Sequence, residues 1–156
     1  MIDKERMSLI LGEAAQRLDV NGLLAINKQD AWLIDFDEIT EIAVELDASG
    51  QRVTFQCTLG RPDDGRRDQL CRTLLQYNYL WRETGGMRMA LDGPDGDVVQ
   101  IFEMPAESLN VESVQNVLGN FAQAASGWRE ALSRGSDAPA PSAFGMNGLP
   151  PGAILG

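Results

Sequence analysis

The chain has 156 residues, 44% of them apolar, which suits one domain with its own core and excludes general disorder. Its formal net charge of -10, from 23 acidic and 13 basic residues, disfavours nucleic acid and anionic membrane surfaces, because Lys and Arg carry such binding. Two cysteines and no histidine leave no disulfide framework, no imidazole base and no imidazole metal ligand, so no metal, cofactor or acid-base chemistry is expected.

No run reaches the ~18 apolar residues of a membrane span, and residues 1–6 lack a signal peptide's apolar segment. A cytoplasmic protein without membrane insertion is therefore expected. Residues 3–18 predict an amphipathic helix, since Met7, Ile10, Leu11, Ala14 and Leu18 recur at helical spacing behind Asp3 as N-cap. Residues 22–59 switch to period two. Trp32, Ile34 and Phe36 share one strand face; Ile42, Val44 and Leu46 form a second set, and Val53, Phe55, Cys57 and Leu59 a third. Turn signals at 27–30 and 47–50 join them as a three-strand antiparallel meander, with residues 23–26 the place for a short extra strand.

A loop at 60–65 precedes a second helix from about residue 66, through Leu70, Cys71, Leu74, Leu75 and Asn78. Gly85-Gly86 then supplies the backbone freedom for a sharp turn, including positive φ. Residues 87–91 and 98–104 read as two more strands, with Met87, Met89 and Leu91 on one face. Asn110 caps a last helix whose stripe is Val114, Val117, Leu118, Phe121, Ala125, Trp128 and Leu132. The order α-β-β-β-α-β-β-α predicts an α+β domain over residues 1–132, a twisted antiparallel sheet packed on helices. Residues 133–156, rich in Pro and Gly, predict a disordered tail, although Phe144, Met146, Leu149, Ile154 and Leu155 give it material for binding.

The polar clusters do not add up to a reaction. Asp92, Asp95 and Asp97 lack the ligand spacing and terminal Glu of an EF-hand and read as a hairpin turn. Asp63-Asp64-Gly65-Arg66-Arg67 lacks the length and the Lys-Ser/Thr of a phosphate loop. Cys57 and Cys71 sit at apolar positions with no base beside them, and Asp35, Asp37 and Glu38 read as a solvated strand end. No catalytic residue is assigned. By contrast, Leu33 lies opposite the Trp32 face, and Leu24 and Ile26 precede it, so both sheet faces carry apolar residues. A sheet with helices on one side leaves some of them exposed, and an exposed apolar patch marks a binding surface.

The segment Leu74-Leu75-Gln76-Tyr77-Asn78-Tyr79-Leu80-Trp81, followed by Thr84-Gly85-Gly86 and Met87-Arg88-Met89-Ala90-Leu91-Asp92, resembles the type III secretion chaperones of the Tir-chaperone (CesT) family, class I. The matching positions are Leu75, Asn78, Leu80, Thr84, Gly85, Gly86, Leu91 and Asp92, and length, charge and element order agree over residues 1–132. The resemblance implies a non-enzymatic homodimer that holds the N-terminal, non-globular region of secreted effector proteins, with the secretion ATPase as a further partner. By element position it puts effector binding on Leu11, Leu24, Ile26, Trp32, Ile34 and Phe36. It puts the dimer interface on Leu74, Leu75, Tyr77, Asn78 and Trp81 of the second helix and Met87, Met89 and Leu91 of the next strand. A small regulatory adaptor for a folded partner is the alternative.

Overall fold

The computed structural model describes residues 1–26 and 29–134. Asp3 caps α1 (Lys4–Leu18) by accepting the Arg6 N–H at 2.8 Å, and Asp19 ends it in the left-handed region. Four strands follow as a meander, β1 (Gly22–Ala25), β2 (Ala31–Asp35), β3 (Glu41–Leu46) and β4 (Arg52–Gly60). A 3-10 turn leads into α2 (Arg67–Tyr79). Then come β5 (Arg88–Leu91), β6 (Val98–Pro105) and α3 (Val111–Arg134). The result is α+β as expected, with the short strand before Trp32 present, so the sheet has six antiparallel strands in the order β1-β2-β3-β4-β6-β5.

One face of that sheet is dry. Trp32, Ile34, Ile42, Val44, Val53, Phe55, Phe102 and Met104 alternate with solvent-facing neighbours and are buried against the helices. The Trp32 indole reaches Ser8 of α1 at 3.0 Å, and the buried Gln100 amide of β6 donates to the Phe121 carbonyl of α3 at 2.9 Å, so these two helices cover the inner face. Asn110 and Ser113 cap α3 reciprocally, each side chain accepting the other's N–H at 2.9 Å. The apolar stripe read from the sequence is the face that α3 buries as far as Trp128, with Leu132 half-buried beyond it. Its last turn runs through Ser133 and Arg134, two residues past the expected boundary; the rest of the expected tail lies outside the described residues, as do Asn27 and Lys28.

α2 sits at the β5 end of the sheet. Its Tyr77 ring meets Trp128 of α3 edge to face, centroids 5.0 Å apart. Gly85 and Gly86, at φ 69° and 88°, then turn the chain from α2 into β5, the left-handed backbone for which the double glycine is suited. Residues 92–97 form a hairpin turn, in which the Asp92 carboxylate accepts the Asp97 N–H at 2.8 Å.

Candidate functional site

An open antiparallel sheet has two edges, and each edge strand turns every second residue's N–H and C=O outward. On β5 those residues are Leu91, whose outward groups bond to nothing among the described residues, and Met89. The Met89 N–H donates to Asn78 Oδ1 at 2.8 Å and its carbonyl accepts from Asn78 Nδ2 at 2.9 Å, so one side chain of α2 occupies both groups. The buried Thr84 hydroxyl lies 3.3 Å from the carbonyl of Met87, the preceding outward position.

On β1 the Ile26 N–H donates to the Ala31 carbonyl at 2.8 Å, which fixes the alternation: Gly22, Leu24 and Ile26 face β2 with their main chain, while Leu23 and Ala25 face outward. Among the described residues nothing bonds to the outward groups of Leu23 and Ala25. Leu24 is 63% exposed on the outer face, beside Leu33 and Ala43 on the next two strands. This edge is the candidate site. It offers main-chain hydrogen bonds with an apolar side-chain row next to them, the two elements of strand addition.

Of the six residues expected to bind a partner, Leu24 is exposed and Ile26 and Phe36 are half-buried. Leu11, Trp32 and Ile34 are at most 1% exposed and belong to the core, which corrects the expectation that they form a surface. The physical reason is that Leu11 lies on the face of α1 turned to the core and strand parity points Trp32 and Ile34 toward α1 and α3, whereas Leu24 and Leu33 face away. A similar correction holds for the expected interface. Leu74, Tyr77, Met87 and Met89 are buried within this one chain, Leu91 packs against the same core, and Asn78 is engaged with Met89. Leu75, 70% exposed, and the half-buried Asn78, Leu91 and Trp81, the last with the Arg82 guanidinium 5.1 Å above its ring, remain accessible. Tyr79, 84% exposed and four residues from Leu75, stands on the same helix face and pairs with it there, although it is not among the interface positions implied by the resemblance.

The far end of the meander is held by one cation. Arg129 of α3 donates to the Thr40 hydroxyl and the Thr58 carbonyl, both at 2.9 Å, and lies 3.3 Å from the Cys57 sulfur. Burial pushes the Cys57 thiol up, against the opposing pull of Arg129, so it stays protonated and packs as a small apolar group. At Asp37 burial acts upward too. There the N–H groups of Ile39 and Thr40, the Thr40 hydroxyl and Arg129 together outweigh it and hold the carboxyl below its usual value.

A family model, that of the Tir chaperone protein (CesT) family, matches residues 10–129. No curated protein matches the sequence. Among solved structures, one described as the ExsC-ExsE complex shares the fold at a TM-score of 0.70 and 21% identity, over 85% of this chain and 97% of that one. A second, the HopA1-SchA chaperone-effector complex, does so at 0.64 and 19%, over 84% of this chain and 100% of that one. Element order, sheet topology and the family match agree over most of the sequence: the chain belongs to the Tir chaperone protein (CesT) family.

Proposed function

We propose that the chain is a non-enzymatic, cytoplasmic secretion chaperone that keeps the N-terminal region of a type III effector non-globular and export-competent, holding it by strand addition to β1. The observation that carries this reading is the open main chain of Leu23 and Ala25 next to the exposed Leu24. A chaperone for unfolded cargo needs affinity that does not depend on a folded epitope. Main-chain pairing supplies it, and a row of apolar side chains sets the register. The cargo loses conformational entropy on ordering, which a long contact path offsets. Two copies joined through α2, with Leu75 and Tyr79 in the seam, would lengthen that path. The solved complexes of similar fold pair a chaperone with an effector in one case and ExsC with ExsE in the other, and they support this direction.

The test uses an effector encoded next to this chain, co-expressed with it. Ala25→Pro removes an outward N–H without touching the ladder to β2, and proline is tolerated on edge strands. The variant is expected to keep its thermal midpoint within a few degrees and to lose the effector segment on co-purification. A segment retained at full stoichiometry by both Ala25→Pro and Leu24→Asp overturns the edge reading.

A further inference from the structure

The outer face beside β1 carries a charge pattern that the apolar row does not explain. Asp35 of β2 and Glu41 of β3 stand directly opposite each other on that face, and both are exposed. They form a non-hydrogen-bonded pair, since the adjacent Phe36 N–H donates to the Thr40 carbonyl at 2.9 Å, so their side chains lie close. Like charges in this arrangement are destabilising. No Lys or Arg among the described residues forms an ion pair with either.

Gly22 is the residue of β1 that pairs with Asp35. Neither space nor backbone requires a glycine there. An added Cβ meets only Asp35 Cβ, at an ordinary 3.8 Å, and Gly22 is not among the residues of positive φ. Its effect is to leave the outer face bare between the open edge and the two carboxylates. A strand added beside β1 lies ~4.8 Å from it and about 10 Å from β2, and a long side chain on that strand crosses to Asp35 only if the intervening residue has none in the way. One step along the same row, Leu24 and Leu33 replace glycine and acid with apolar surface.

We infer that the segment β1 takes up carries a Lys or Arg opposite Gly22, two residues from an apolar side chain opposite Leu24. The cation lies across the glycine to Asp35 and Glu41 and relieves their repulsion. Recognition then combines a sequence-independent main-chain ladder with one charged and one apolar checkpoint, which sets register within an otherwise permissive site. Cargo chemistry follows: an extended segment in which a basic residue and an aliphatic residue alternate on one face. The inference rests on the strand-addition reading and adds to it the identity of two positions.

The experiment titrates the full chain with three acetylated, amidated eight-residue peptides of alternating Thr and Val, in which one central Val is replaced by Lys, Gln or Glu. The Lys peptide is expected to bind about fivefold tighter than the Gln peptide at low salt, the scale of an exposed ion pair, and the Glu peptide weakest. The preference should vanish in Asp35→Asn/Glu41→Gln and in Gly22→Val, each still folded by circular dichroism, and persist in Asp95→Asn/Glu107→Gln, which changes net charge equally elsewhere. Equal binding of all three peptides overturns the inference and leaves strand addition standing. A preference lost equally in Asp95→Asn/Glu107→Gln marks attraction to bulk charge and also overturns it. If no peptide binds, strand addition itself fails, and the inference with it.

Discussion

At the β5 edge a helix lies along the strand and Asn78 takes both outward main-chain groups of Met89; at the β1 edge, on the opposite side of the same sheet, Leu23 and Ala25 meet no such group among the described residues. Exposed edges invite pairing with other chains, and folded proteins usually blunt them. Here one edge is blunted by a specific pair of hydrogen bonds. The other is flanked by an exposed leucine and an unobstructed glycine. On the proposed reading the difference separates two tasks: α2 and Asn78 occupy the main chain of Met89 at one edge, and β1 stays open for cargo at the other.

The largest effect on the contrast between the edges should come from removing the closure. Asn78→Leu deletes two hydrogen bonds and leaves the Met89 amide and carbonyl without partners, a cost of about 1–3 kcal/mol in urea unfolding. It also leaves the outward groups of Met89 unpaired, like those of Leu23 and Ala25 at β1. Hydrogen exchange at the Met89 amide should accelerate, and the strand-forming peptides should bind at two sites per chain. Unchanged stability together with one peptide site would show that the β5 edge is closed by something other than Asn78.

A smaller effect on the single chain, and a clear one on assembly, is expected at Leu75 and Tyr79. Both are exposed on the helix that covers β5, so Leu75→Asp/Tyr79→Asp should leave the thermal midpoint nearly unchanged. If a second copy docks there, sedimentation at tens of micromolar will show a dimer for the native chain and a monomer for the variant. A native chain that sediments as a monomer removes α2 from assembly and leaves it only its role along β5.

Local signals carried most of this fold. The Asp3 cap, the period of α1, the Asn110 cap and the stripe of α3 depend on residues within a few positions of one another, and the structure places each as read. β1 was only half visible, because Leu23-Leu24-Ala25-Ile26 has no polar alternation to betray a strand face. Trp32 and Ile34 turn out buried for a different reason. Period two groups Trp32 with Ile34 but cannot tell which side α1 and α3 will cover, so two core residues were read as surface. Asn78 illustrates the same limit: its partner Met89 lies eleven residues away across a glycine turn, and only the folded chain reveals that both ends of its amide are engaged.

The finest test of α2's seat is Tyr77→Phe. The ring is 2% exposed and packs on Trp128, yet neither its hydroxyl nor Trp128 Nε1 has a hydrogen-bond partner of good geometry among the described residues. Burial accordingly pushes the phenol above its usual pKa, with Trp128 acting in the opposite direction. A buried polar group without a partner costs about 1–3 kcal/mol, so deleting the hydroxyl while keeping the ring should leave the thermal midpoint unchanged or raise it by a few degrees. Tyr77→Ala, which removes the ring as well, should cost about 3–5 kcal/mol and loosen α2 from β5. Peptide binding at β1 should survive Tyr77→Phe. A fall of several degrees in that variant would mean that the hydroxyl is bonded in solution, and that α2 is held by a polar contact as well as by packing.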